Sequence, residues 1–144
     1  ASAMTTIENS ESKSPIRILL IEDNEANQRL MSDYLSYYGY KVLALTDGTQ
    51  LAATLEQFCP QVILLDLKLP MIDGYTLLEQ LQQWDEWKSI PTIVVSAYAF
   101  QRDQQRALDL GARRYLVKPI RLSQLTDVIR EELGDSSSWI WSGY

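Results

Sequence analysis

The sequence predicts a single α/β domain, an open parallel sheet whose five strands alternate with five helices. Three observations lead there. Short apolar runs recur five times, at 16–21, 41–45, 62–65, 92–95 and 114–117, the first of them rich in β-branched residues. Longer stretches with helical apolar spacing separate them, each closed by Gly or Pro. At 144 residues, 46% hydrophobic and 22% charged, the chain has the size and apolar content of one domain with its own core.

The elements follow in order. The run 16–21 is apolar without alternation, as in a strand buried on both faces. A helix over about 25–38 carries Leu30, Met31, Tyr34, Leu35 and Tyr38 on one stripe, and Gly39 stands at its C′ position. A weaker strand spans 41–45. Asp47-Gly48 makes a turn, and Leu51, Leu55 and Phe58 mark a second helix that Pro60 stops. The third strand, 62–65, ends at Asp66; a loop with Pro70 and Gly74 leads to a helix over about 75–87. The fourth strand, 92–95, follows Pro91. A polar helix over about 100–110 ends at Gly111, and the fifth strand, 114–117, leads to a last helix over 122–133. Strict alternation with right-handed crossovers favours a flavodoxin-like, doubly wound sheet of order 2-1-3-4-5.

The termini differ in character. Residues 1–14 are polar and without periodicity, a flexible leader in which Ala1-Ser2-Ala3 before Met4 reads as a cloning remnant. Residues 15–133 form the domain. Over 134–144 a Gly/Ser-rich linker runs into Trp139-Ile140-Trp141-Ser142-Gly143-Tyr144, an aromatic tail that folds back, contacts a second copy or marks the cut end of a longer protein.

Composition excludes several functions. The chain has no histidine, which removes Ser-His-Asp and Cys-His catalysis and histidine-ligated zinc. The formal charge of −6 opposes direct binding to nucleic acid or anionic membrane. Cys59 is the only cysteine, so no intrachain disulfide exists, and its expected place is a small core position. No stretch is long and apolar enough for membrane insertion, and the expected location is the cytoplasm.

Ligands of a doubly wound sheet bind beyond the carboxyl ends of its strands. Strand one delivers Glu22 and Asp23 there, strand three Asp66, strand four Ser96 and strand five Lys118. Each alone is an ordinary strand end or helix cap. Together, three acids in one crevice repel one another unless a cation intervenes, and oxygen donors without His or Cys suit Mg²⁺. A carboxylate with a metal on one side and a hydroxyl and lysine on the other is equipped to accept a phosphoryl group.

At these residues the sequence resembles the receiver domain of two-component response regulators. The likeness covers about 16–133. It rests on Ile21-Glu22-Asp23-Asn24, on Leu64-Leu65-Asp66-Leu67-Lys68-Leu69-Pro70-Met71-Ile72-Asp73-Gly74, on Val95-Ser96-Ala97 and on Tyr115-Leu116-Val117-Lys118-Pro119. The resemblance implies that Asp66 takes a phosphoryl group from a phosphohistidine on a histidine kinase or histidine phosphotransfer protein. It implies that Glu22, Asp23, Asp66 and the backbone carbonyl of Lys68 hold Mg²⁺, and that Ser96 and Lys118 bind phosphoryl oxygens. Ser96 and Tyr115 are its implied switch pair, read out on helix four, strand five and helix five, a surface that also offers a homodimer contact, as does the aromatic tail. Lys68 and Tyr98 fall where the family tunes phosphorylation lifetime, and Lys118–Pro119 where it carries a cis peptide.

The implied protein is a stand-alone regulator or a receiver cut from a hybrid histidine kinase. Two rivals remain: a receiver fold that acts by contact without phosphorylation, and a phosphatase of the haloacid dehalogenase type. The second resembles a pattern with an acid two residues after the nucleophile, where this chain has Lys68. Arg113-Arg114 reads as a solvated strand end or part of a partner face. Trp84 and Trp87 read as packing, and the tyrosines at 34, 37, 38 and 40 establish no site by themselves.

Overall fold

The computed structural model describes residues 14–134; the aromatic tail, and the leader apart from Ser14, lie outside the described residues. The elements are β1 (Arg17–Ile21), α1 (Glu25–Tyr37), β2 (Lys41–Leu45), α2 (Leu51–Phe58), β3 (Val62–Leu65), α3 (Gly74–Gln83), β4 (Thr92–Ser96), α4 (Gln101–Asp109), β5 (Arg114–Val117) and α5 (Leu122–Leu133). All strand pairs are parallel and the order is β2-β1-β3-β4-β5.

Alternation along the strands divides the core in two. Leu19, Ile21, Ile63, Leu65 and Val94 face one way and pack with Leu51, Leu55, Leu77, Leu81 and Ala107 of α2, α3 and α4. Ile18, Leu20, Val62, Leu64 and Ile93 face the other way, toward Met31 and Leu35 of α1 and Leu125 and Ile129 of α5. Both faces are covered, which is why the central strands read as unbroken apolar runs.

Local sequence starts and stops the helices. Asn24 caps α1 by accepting the Asn27 N–H at 2.9 Å, and Asp73 caps α3 by accepting the Thr76 N–H at 3.0 Å. Beyond α1, Gly39 takes φ +91°, a left-handed position that suits glycine.

Three expectations are corrected. Leu30 and Tyr38 are 56% and 49% exposed, so the α1 stripe narrows to Met31, Leu35 and the half-buried Tyr34. The third helix ends at Gln83 instead of reaching Trp87. Trp84 and Trp87 pack on the core from a turn closed by the Trp87 N–H on the Trp84 carbonyl at 2.9 Å. Spacing of three occurs in turns as in helices, so periodicity did not mark that boundary. Cys59 is exposed: as the cap of α2, just before Pro60, it adopts left-handed backbone with φ +51°, and its carbonyl accepts Arg17 Nε at 2.8 Å. Arg113 and Arg114, read as a solvated strand end or part of a partner face, form an internal clamp. Arg114 Nε and Nη1 each donate at 2.8 Å, to Glu132 and Glu131, and Arg113 reaches Glu132 at 3.1 Å, tying β5 to α5.

Met71, in the β3–α3 loop, is 80% exposed and has φ +71°. Left-handed backbone costs a residue with a Cβ about 1–2 kcal/mol, partly offset because glycine loses more entropy on folding. Met71→Gly is therefore expected to stabilise the domain by about 0.5–1 kcal/mol. A higher urea midpoint with unchanged m-value supports this; a lower one refutes it.

Candidate functional site

The carboxyl edge of the sheet holds the predicted residues because backbone bonds carry the strands' register one residue further. The Asp66 N–H donates to the Ile21 carbonyl at 3.0 Å, the Glu22 N–H to Leu45 at 3.0 Å, and the Lys118 N–H to Ser96 at 2.8 Å. The loop after Asp66 folds back against it. Gly74 donates its N–H to the Leu67 carbonyl at 2.8 Å, and a Cβ on Gly74 would lie 2.5 Å from Leu67 Cα and 2.6 Å from the Asp66 carbonyl oxygen. Only glycine permits that approach.

Glu22, Asp23 and Asp66 each place a carboxylate oxygen within 4.8 Å of the others. Glu22 and Asp66 are buried, whereas Asp23 is exposed. Lys118 Nζ lies 2.6 Å from Glu22 Oε1 and 2.9 Å from Asp66 Oδ2. Backbone amides serve the opposite oxygens: Asn24 N–H donates to Glu22 Oε2 at 3.1 Å and Lys68 N–H to Asp66 Oδ1 at 3.2 Å.

Burial pushes the Glu22 carboxyl above its ordinary range, against the lowering effects of Lys118 and the Asn24 amide. Burial by itself depresses the Lys118 ammonium, but the hydrogen bonds and charges of Glu22 and Asp66 together outweigh it and hold the group above its usual value. With the three carboxylates ionised and one ammonium present, the crevice carries a net charge of −2, derived as three negative charges less one positive. A hard divalent cation on oxygen donors fits that deficit.

Ser96 is fully buried, and its Oγ accepts the Tyr98 N–H at 3.2 Å. Tyr98 is half-buried, and its carbonyl accepts the Tyr115 hydroxyl at 2.7 Å, so one residue bridges Ser96 and Tyr115. Lys68 has an exposed side chain. The Lys118–Pro119 peptide is cis. Beside Lys118 opens a cavity of about 450 Å³ lined by residues that include Asn27, the exposed Leu30, Met31, Pro119, Ile120 and Leu122.

Sequence reasoning missed Gln28, whose side chain donates to the Glu22 carbonyl at 3.0 Å and the Leu45 carbonyl at 3.2 Å, bracing the acidic loop. Its position one turn after the Asn24 cap was the available signal. It also missed Tyr75, Asp103 and Arg106, whose meeting has no signature in spacing.

The family model described as the response regulator receiver domain matches residues 18–130. The chain belongs to the response regulator receiver domain family. This receiver domain is 31% identical over 122 residues to the polar-differentiation response regulator DivK of Brucella anthropi, covering 85% of this chain and 99% of that protein. Among solved structures, it resembles the CheY-like receiver domain protein of Methanospirillum hungatei, with 28% identity, a TM-score of 0.77 and coverage of 87% and 98%. It also resembles the receiver domain of the sensor histidine kinase PA1611 from Pseudomonas aeruginosa, with 31% identity, a TM-score of 0.77 and coverage of 84% and 99%; that structure has a magnesium ion coordinated in its active-site cleft. Membership of the receiver family sets aside the haloacid dehalogenase reading. No helix among the described residues is long and apolar enough to cross a membrane.

Proposed function

We propose that this receiver domain accepts a phosphoryl group on Asp66 from a phosphohistidine of a histidine kinase or histidine phosphotransfer protein. The observation that carries this reading is the buried Asp66 carboxylate, held between the Lys118 ammonium and the Lys68 amide within reach of two further acids. A carboxylate oxygen of Asp66 forms a bond to phosphorus as the bond from phosphorus to the imidazole nitrogen breaks, the electron pair leaving with the imidazole. Since these 144 residues contain no histidine, the donor imidazole is supplied from outside them.

Glu22, Asp23, Asp66 and the backbone carbonyl of Lys68 are the groups proposed to hold Mg²⁺, which when bound supplies positive charge to the phosphoryl oxygens. Lys118 exchanges its carboxylate contact for a phosphoryl oxygen, and the buried Ser96 hydroxyl donates to another. The added charge of about −1.5 to −2 favours an inward Ser96 and, through Tyr98, an inward Tyr115. The surface of α4, β5 and α5 carries that change to a partner.

Intact mass after incubation with acetyl phosphate tests the reading. One added phosphoryl group with Mg²⁺ and none without it supports the proposal; no addition with Mg²⁺ bound refutes self-catalysed phosphorylation.

Lys68 and Tyr98 stand two residues after Asp66 and Ser96, and in this reading their long cation and bulky ring obstruct an attacking water. Lys68→Ala and Tyr98→Ala are each expected to shorten the phosphorylated lifetime by about threefold to tenfold, the effect of about 1 kcal/mol on a barrier. Unchanged dephosphorylation rates in both variants refute the obstruction.

A further inference from the structure

Tyr75 is the second residue of α3 and follows Gly74, the glycine that seats this helix against Asp66 and Leu67. Its side chain is buried, yet its hydroxyl reaches across to α4 and donates to Asp103 Oδ1 at 3.2 Å. One turn further along α4, the Arg106 guanidinium carbon lies 3.9 Å above the centre of the Tyr75 ring. Asp103 and Arg106, three residues apart, thus grip the same phenol by its hydroxyl and by its face.

Asp103 is in the first turn of α4, and its N–H donates to the Phe100 carbonyl at 3.0 Å. Phe100 ends the short loop that carries Tyr98, and the Tyr98 carbonyl receives the Tyr115 hydroxyl. Fixing Asp103 therefore fixes the far end of the segment on which Tyr115 rests. The acid acts on both phenols. Burial, then the hydrogen bond and charge of Asp103, push Tyr75 up to about 12; burial raises Tyr115, opposed by its Ser96 hydrogen bond and aided to a lesser extent by the charge of Asp103.

We infer that Tyr75, Asp103 and Arg106 form a clasp between α3 and α4 that positions the Tyr98 loop and thereby favours the inward state of Tyr115. The link to phosphorylation rests on the proposed acceptor role of Asp66; the clasp itself does not. These three are positioning residues, since none touches the acidic crevice. Whatever favours inward Tyr115 also strengthens binding of a phosphoryl group that favours it, because coupling between two sites is reciprocal.

Two measurements on the full chain test this. In the protein without metal or phosphoryl donor, Tyr75→Phe keeps the ring under Arg106 and removes only the hydroxyl. Amide hydrogen exchange is expected to quicken about fivefold over 97–106, the scale of one net hydrogen bond, while α1 is unchanged. Asp103→Ala is expected to match it, and Asp103→Asn, which keeps an acceptor oxygen, to restore part of the protection. Unchanged exchange in Tyr75→Phe and Asp103→Ala overturns the clasp.

The second measurement is binding of beryllofluoride, a phosphoryl analogue, in the presence of Mg²⁺. Tyr75→Phe is expected to weaken it about fivefold with Mg²⁺ affinity unaltered, and to have little further effect when Tyr115→Phe is already present. An equal loss in both backgrounds overturns the link through Tyr115. Absence of beryllofluoride binding by the unaltered protein refutes the acceptor reading instead, and the exchange measurement still decides the clasp.

Discussion

Asp66→Asn is expected to reduce phosphoryl incorporation from acetyl phosphate to background while making the domain more stable. The two effects have one cause. Asparagine matches the carboxylate in shape; its one amide oxygen accepts either the Lys68 N–H or the Lys118 ammonium, and Lys118 keeps its bond to Glu22 Oε1 at 2.6 Å. It has no anionic oxygen to attack phosphorus, so the proposed reaction loses its nucleophile and the crevice one of the oxygens proposed to hold Mg²⁺. The same change removes one of three carboxylates crowded within 4.8 Å. Like charges that close destabilise the folded state, and relieving them is expected to add about 1 kcal/mol without metal, a gain typical of sites held for function at the expense of stability. Intact mass and urea midpoints measure the two sides. Incorporation persisting on Asp66→Asn identifies another nucleophile, and a less stable variant shows that Asp66 is structurally favourable where it sits.

Lys118→Met is expected to have the largest effect on stability. Lysine and methionine fill similar space, so packing around the stem is largely kept. What goes is the ammonium that bridges Glu22 Oε1 at 2.6 Å and Asp66 Oδ2 at 2.9 Å, at side chains only 2% and 8% exposed. Removing one partner from a buried ion pair leaves uncompensated charge, a loss of about 3 kcal/mol. Mg²⁺ is expected to recover part of that loss, because a cation bound only by the folded state stabilises it in proportion to the logarithm of its concentration over the dissociation constant. The variant should therefore gain more in melting temperature from Mg²⁺ than the unaltered protein does. Phosphorylation should slow as well, since no cation from β5 meets the incoming phosphoryl group. Equal stability of both proteins without Mg²⁺ refutes this account of Lys118.

Gly74 also shows how one loop serves two ends. The tight approach of Gly74 to Asp66 sets the acceptor at the sheet edge and at the same time delivers Tyr75 to α4. Substrate chemistry and the α3–α4 contact thus share a single backbone constraint. The Arg113 and Arg114 clamp on Glu131 and Glu132 secures the end of β5 opposite to Lys118.

Much of this was legible before any coordinates. The apolar runs of β1, β3 and β4 announced strands buried on two faces, and the residues ending them, Glu22, Asp23, Asp66 and Ser96, announced the site. Such features are local: composition, alternation and the rule that ligands meet a parallel sheet at its carboxyl edge are readable one segment at a time. A helix stop was legible for the same reason, as at Gly39.

Tertiary structure alone decided which side chains meet and which way an ambiguous one turns. Periodicity assigns a residue to a face and carries no distance between faces. Lys118 finds Glu22 across 96 positions of sequence, and Tyr75 finds Asp103 across 28, because neighbouring parallel strands bring their loops to one edge. Cys59 faces solvent because its backbone is left-handed at the end of α2, and Leu30 lines the cavity because α5 begins beside it. The sequence by itself determined the strands, the helices and the residues at the acidic edge, since each is encoded by its neighbours along the chain. The ion-pair bridge and the tyrosine clasp exist only once folding has set distant segments in contact.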